Sequence, residues 1–301
     1  MKRVLLLLAL ALLAIGIPAA VANRAYIESY FENRIGAPTS AQTTPIETPV
    51  EPVTLRLAVA GDVGTGGAAA YQTAAVMDSL DNQSEYDKLL LLGDNVYDDG
   101  DPSLVASKVL DPFAPVLDGP TELLAVLGNH DVDNDNGDAQ AAALGMPNRW
   151  YVTRTDLATI IALDSTQPDN AEQRAWLRST LADTETPWTI VMLHHPAFSA
   201  GLHGNEPGVQ ANFVPLFEEY GVDLVLSGHD HDYQRSKVIN SVTYVVTGAA
   251  AKLRPTGRED FTAVAWSTHS FVDLLIYPDR IQGQAIDHDG QAIDQFTLRA
   301  N

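Results

Sequence analysis

Two imidazoles and two carboxylates stand in a row at His229-Asp230-His231-Asp232, directly after the apolar run Val222-Asp-Leu-Val-Leu226 and the pair Ser227-Gly228. Side chains of these types hold metal cations and move protons. Four more apolar runs stop at groups of the same kind: Ala60-Gly61-Asp62; Leu92-Gly93-Asp94-Asn95 with Tyr97 just beyond; Leu127-Gly128-Asn129-His130-Asp131; and Leu193-His194-His195-Pro196. Of the 8 histidines, those at 130, 194, 195, 203, 229 and 231 lie in or beside these loops; His269 and His288 lie elsewhere and read as surface residues. One histidine at a strand end is more often a structural residue than a ligand, but five ends that agree point to a shared site. The chain has no cysteine, so a metal here must be held by His, Asp, Glu, Asn or Tyr.

These groups need a scaffold that brings five separated loops to one place. From Thr54 the sequence alternates strand and helix. Residues 54–62, 88–95, 122–131, 158–165, 188–196 and 222–230 read as buried strands, with helical spacing at 68–80, 103–117 (up to its prolines), 172–181 and 209–221. After residue 240 the character changes to strands joined by tight turns, such as Tyr277-Pro278-Asp279 and Asp289-Gly290. In an open α/β sheet, ligands sit beyond the carboxyl ends of the strands. Glycine beside most of the polar residues lets the backbone turn sharply there.

The five motifs, in this order and over roughly residues 55–240, resemble those of the calcineurin-like metallophosphoesterases. Within that family they look most like the purple acid phosphatases of the tartrate-resistant type. They stand here as Gly61-Asp62-Val63-Gly64, Gly93-Asp94-Asn95-Val96-Tyr97, Gly128-Asn129-His130-Asp131, Val191-Met192-Leu193-His194 and Gly228-His229-Asp230-His231. The resemblance implies an α/β fold, a four-layer α/β/β/α sandwich of two mixed β-sheets, occupying residues 54–301. It also implies that Asp62, Tyr97 and His231 bind one metal, Asn129, His194 and His229 a second, and that Asp94 bridges them. A tyrosine ligand suits Fe(III), because a phenol is deprotonated near neutral pH only by a strong Lewis acid. The other site would take Fe(II), Zn(II) or Mn(II). The implied reaction is phosphomonoester hydrolysis by a hydroxide generated on the metal pair, with His130 and His203 near the leaving group as catalytic residues. Asp164 would orient a ligand histidine, Asp230 would have a supporting role, and His195 falls where the family varies.

The N-terminus has a basic head at Lys2-Arg3, an apolar run from Val4 to Ile17 and the small triplet Ala20-Val21-Ala22. This is the layout of an export signal over 1–22, cleaved after Ala22 or retained as an anchor; either way the remainder is secreted or extracytoplasmic. Residues 24–34 have the spacing of a short amphipathic helix. The linker over 23–53 is rich in Pro and Thr in its 37–53 part, which reads as an extended, disordered tether. Formal net charge is −21, which excludes nucleic acid as a partner and leaves membrane contact to an uncleaved anchor. A small phosphoester is the expected substrate; no feature fixes an oligomeric state. A phosphodiesterase or nucleotidase on the same metals is an alternative, and a non-catalytic tethered module would require broken ligands. Gly64 to Ala69 matches a weak dinucleotide fingerprint, and Asp131 to Asp138 a defective calcium loop whose twelfth position is Ala142.

Overall fold

The computed structural model describes residues 43–47 and 53–300. The expected export segment over 1–22 and the expected helix over 24–34 lie outside the described residues. In chain order the strands are β1 (Leu55–Ala60), β2 (Lys88–Leu91), β3 (Glu122–Ala125), β4 (Tyr151–Arg154), β5 (Ala158–Ala162), β6 (Trp188–Met192), β7 (Leu224–Ser227), β8 (Tyr233–Ser236), β9 (Thr243–Thr247), β10 (Thr262–Trp266), β11 (Ser270–Ile276), β12 (Arg280–Asp287) and β13 (Ala292–Arg299). They form two mixed sheets, ordered β13-β12-β11-β1-β2-β3 and β10-β8-β9-β7-β6-β5-β4. β1, β2 and β3 run parallel in the first sheet; β5, β6, β7 and β9 run parallel in the second.

Alternation along the strands explains the layering. In β1, Leu55, Leu57 and Val59 join Ile160, Ile190, Met192 and Leu226 in a core between the two sheets. Ala58 and Ala60 point the other way, against Met77 and Leu80 of α1 (Ala68–Asp81) and Phe113 and Val116 of α2 (Asp111–Leu117). A short α3 (Asp138–Ala143) follows β3. On the far side of the second sheet, Ile161, Val191 and Val225 meet Leu177 of α4 (Ala171–Ala182), Val209 of α5 (Pro207–Asn212) and Phe217 of α6 (Val214–Tyr220). The parallel strands, buried on both faces, therefore read as continuous apolar runs, and the result is the expected α/β/β/α sandwich.

Several local features differ from the sequence reading. The 103–117 segment does not stop at its prolines: a π-turn at Ala106–Leu110 leads into α2, with Pro112 in its first turn and Pro115 inside it. The segment expected as one helix over 209–221 forms two, divided at Phe213 (φ −111°) just before Pro215, which has no amide hydrogen to continue the ladder. The strands after residue 240 divide between the two sheets. β9 and β10 join the second sheet, while β11, β12 and β13 cross to the first and pair antiparallel beside β1. The short strands β4, β8 and β10 carry too little alternation to be seen in sequence. Within the presumed tether, residues 43–47 are extended but docked: Thr44 bridges Ala292, and the Glu47 amide donates to Gln284 Oε1. Ile46 supplies the apolar contact that holds this piece to the core.

One buried ion pair fixes the end of β1 away from the polar loops. Arg56 Nε and Nη2 donate to the two oxygens of Asp273 in β11, each at 2.9 Å, and the guanidinium lies 4.3 Å from the centre of the Tyr86 ring. Its remaining nitrogen caps the end of α1 through the Leu80 carbonyl. Removing one partner leaves an uncompensated buried charge. Asp273→Ala is expected to lower unfolding free energy by about 3–5 kcal/mol, and Arg56→Met/Asp273→Leu together by clearly less, measured by denaturant titration.

Candidate metal centre

All five polar loops leave the carboxyl ends of parallel strands: Asp62 follows β1, Asp94 and Tyr97 follow β2, Asn129 and His130 follow β3, His194 and His195 follow β6, and His229 and His231 follow β7. The side chains expected from sequence do converge, in two groups. In the first, Tyr97 Oη lies 2.8 Å from Asp62 Oδ1 and 3.2 Å from His231 Nε2, and that nitrogen lies 3.3 Å from Asp62 Oδ1. In the second, His194 Nε2 lies 3.1 Å from Asn129 Oδ1, 3.2 Å from His229 Nδ1 and 3.4 Å from Asp94 Oδ1. Donors at right angles around a common ion, each about 2.1 Å from it, are about 3.0 Å apart. Both groups have that spacing. Asp94 bears on both: its Oδ1 faces His194 Nε2, and its charge helps raise the Tyr97 phenol.

The chemistry of the donors points the same way. His194 Nδ1–H donates to the Leu92 carbonyl at 2.8 Å, so its Nε2 lone pair faces Asn129 and Asp94, which also present acceptors. Without a cation, these groups oppose one another. Burial and then Asp94 push the Asp62 carboxyl well above the usual range. Burial, followed by Asp62 and Asp94, pushes the Tyr97 phenol far up. His194 and His229 are driven down by burial and by their histidine neighbours. His231 is pushed down to about 4 by burial, Arg254 and Lys252. Cations set among such ligands reverse each of these preferences, so the residues fit a two-metal site.

The backbone is held in costly shapes to achieve this. Asp62, Asp94 and His229 have φ of 60°, 51° and 71°, a region that non-glycine residues seldom adopt. Two glycines are required by close approach: a Cβ on Gly128 would lie 2.2 Å from Asp94 Oδ1, and one on Gly228 2.6 Å from Asp62 Oδ2. Asp131, the first residue of the defective calcium loop, is an internal strut. It accepts from the amides of Asn95, Val96 and Gly128 and from Asn95 Nδ2, tying the Asp94 loop to the Asn129 loop. Burial and Asp94 raise its carboxyl to about 6.

His130 and His203 border the donors. The His130 amide donates to Asp94 Oδ1 at 3.1 Å, its Nδ1–H donates to the Asp98 carbonyl, and its Nε2 lies 4.0 Å from Asp94 Oδ2. The His203 ring is 4.2 Å from that of His229, and its Nε2 accepts from Arg254. Asp230 takes a supporting place outside the two donor groups: its oxygens receive the His203 amide and the Ser199 hydroxyl, fixing the loop that carries His203.

Three sequence readings need correction. Asp164 orients no ligand histidine; Arg149 and Thr166 occupy its carboxylate. Its neighbour Ser165 takes that place, accepting the amides of His194 and His195 and donating to His195 Nδ1. His195, left aside in sequence, has its ring 4.5 Å from His229 and lies in the centre. His269 and His288 are not free surface residues but half-buried, stacked 4.7 Å apart and anchored by the Ala249 carbonyl and the Thr73 hydroxyl. Sequence gave no sign of Lys252 and Arg254, which follow the last motif by more than twenty residues.

The family model described as calcineurin-like phosphoesterase matches residues 55–233. Purple acid phosphatase 3 of Arabidopsis thaliana is 26% identical over 233 residues, which are 66% of this chain and 64% of that protein, so the chain spans slightly under two thirds of the relative's length. Tartrate-resistant acid phosphatase type 5 of Oryctolagus cuniculus is 29% identical over 245 residues, 67% of this chain and 74% of the relative. Among solved structures, GAP50, the anchor in the inner membrane complex of Plasmodium, superposes with a TM-score of 0.74 at 20% identity, covering 83% of this chain and 90% of that one. That likeness shows the fold. Gly128→Ala is expected to leave far-UV circular dichroism intact while lowering retained metal from about two ions per chain to below one, read by elemental analysis.

Proposed function

The chain belongs to the calcineurin-like phosphoesterase family, and we propose that it is an exported phosphatase hydrolysing phosphomonoesters on a pair of metal ions. The observation that carries this reading is the convergence of Asp62, Asp94, Tyr97, Asn129, His194, His229 and His231 at the donor spacing of two ions sharing Asp94. Two cations there would supply an acidified water as nucleophile and neutralise charge on the phosphoryl oxygens. The buried, acid-flanked phenol of Tyr97 gives up its proton only to a strong Lewis acid, which favours Fe(III) in the Asp62–Tyr97–His231 group. Asn129, His194 and His229 suit Fe(II), Zn(II) or Mn(II). Export rests on the residue 1–22 pattern; among the described residues no helix is long and apolar enough to cross a membrane.

The two flanking histidines divide the remaining work. Because its Nδ1–H is given to the Asp98 carbonyl, His130 presents Nε2 towards Asp94 and can hold a proton there for the departing oxygen. Arg254 is always a donor, so His203 Nε2 must accept and the ring is neutral with its proton on Nδ1. His203 therefore steadies the phosphoryl group by donating a hydrogen bond and does not act as the acid. A non-catalytic reading, in line with the anchor named for the Plasmodium protein, would tolerate lost ligands, yet all seven are kept here.

Elemental analysis of the purified chain should find close to two metals with iron among them; zinc or manganese alone would demote Tyr97, and failure to take up metal would sink the enzyme reading. Asn129→Ala and His194→Ala should each reduce phosphomonoester hydrolysis at least about 100-fold. His130→Ala should slow alkyl phosphates by about 100-fold or more but nitrophenyl phosphate, whose leaving group needs no proton, by less than about tenfold. Equal losses on the two ester classes would remove His130 as the acid. Paired mono- and diester assays decide between phosphatase and phosphodiesterase.

A further inference from the structure

The loop that follows β9 carries two cations to the mouth of the centre. Lys252 Nζ sits 3.4 Å from the centroid of the Tyr97 ring, on the side of the first donor group. Arg254 reaches His203, whose ring lies against His229 of the second group. Acids outnumber Lys and Arg by 39 to 18 in this chain, and most buried or half-buried arginines have a carboxylate partner, as Arg56, Arg149 and Arg235 do. Among the described residues, neither Lys252 nor Arg254 is in an ion pair. Two unpaired cations in so acidic a protein, one beside each donor group, call for a ligand.

Their backbone is held firmly. The Gly248 amide donates to the Asp232 carbonyl, the Arg254 amide to the His231 carbonyl at 2.9 Å, and the Gly257 amide to the Ala200 carbonyl at 2.9 Å. The Ser267 hydroxyl closes on the Arg254 carbonyl at 2.7 Å. Such pinning places both cations before a ligand arrives, so little ordering cost remains. Their donor capacity is largely unspent. Of the five N–H groups of a guanidinium, Arg254 commits one nitrogen to His203, and Lys252 lies over the Tyr97 ring in the field of Asp94, Asp98 and Asp62 without a hydrogen bond to any of them. A guanidinium fork matches a carboxylate or phosphoryl group in two parallel hydrogen bonds. Two cations held by the seven donors would themselves neutralise the transferring phosphoryl group, which leaves Lys252 and Arg254 for another anionic group.

We propose that Lys252 and Arg254 form a second anion subsite, which selects phosphomonoesters whose leaving group carries another anionic group, a carboxylate or a phosphoryl, within a few bonds of the scissile phosphorus. This rests on the phosphatase reading and narrows its substrate class.

Non-hydrolysable probes test it on the metal-loaded full chain by calorimetry. Methylphosphonate offers one anionic group; phosphonoacetate adds a carboxylate, and methylenediphosphonate adds a second phosphoryl. The wild type should bind at least one of the two-headed probes about tenfold or more tighter than methylphosphonate, and the stronger of the two identifies the second group. Lys252→Gln and Arg254→Gln, each checked for an unchanged thermal midpoint, should each shrink that ratio to within about threefold. Arg258→Gln removes the same charge from an exposed position four residues beyond Arg254 and should leave the ratio within about twofold. A wild-type ratio near one, or a ratio that survives in both variants, overturns the subsite. A metal-loaded wild type that binds no methylphosphonate and hydrolyses no monoester overturns the phosphatase reading itself.

Discussion

Lone pairs facing lone pairs are the condition that shapes this protein. Asp62, Asp94, Tyr97, Asn129 and three imidazoles are packed within about hydrogen-bond distance in a largely buried pocket, where like-natured acceptors repel and desolvation penalises every charge. Such a cluster survives in a folded chain only if the surrounding structure compels it. The compulsion is visible in Asp62, Asp94 and His229, held at positive φ, and in glycines at 128 and 228 that let backbone pass where a methyl group could not. Cations bound there would replace these opposed contacts with favourable ones, coupling metal uptake to the stability of the fold.

The sandwich supplies the force that holds the cluster shut. Strands buried on both faces cannot slide without exposing one of two apolar layers, so their carboxyl ends stay in register. Secondary bracing then works loop by loop. Asp131 ties the second loop to the third, Ser165 ties β5 to the His194–His195 loop, and Asp230 holds the loop bearing His203. Each brace satisfies backbone amides that would otherwise be orphaned at a strand end. These residues do no chemistry, but the geometry of those that do depends on them.

Charge is distributed to the same end. A chain of formal charge −21 would repel an anionic substrate at long range, and solvent ions screen much of that field beyond ~8 Å. What matters for an ester is therefore the charge within reach of the pocket. There the structure places the seven candidate donors, His130 and His203, with Lys252 over the Tyr97 ring and Arg254 against His203.

The amino-acid sequence determined the longer strands, their layered burial and the seven side chains that converge beyond them, because each is encoded within a few residues: a continuous apolar run, a glycine, a polar group. It also marked His130 and His203, since both follow motif residues closely. What the sequence left undecided depends on contacts between segments far apart in the chain. Asp164 and Ser165 are neighbours, and only packing against β6 selects Ser165 as the partner of the histidines. Lys252 is 155 positions from Tyr97, the difference of their residue numbers, and Arg254 is 51 from His203. His269 and His288 stack only because β11 and β12 pair in one register. Local pattern encodes which residues can bind a metal; the crossing of the chain between two sheets decides which other groups surround it, because no local period records a distance through space.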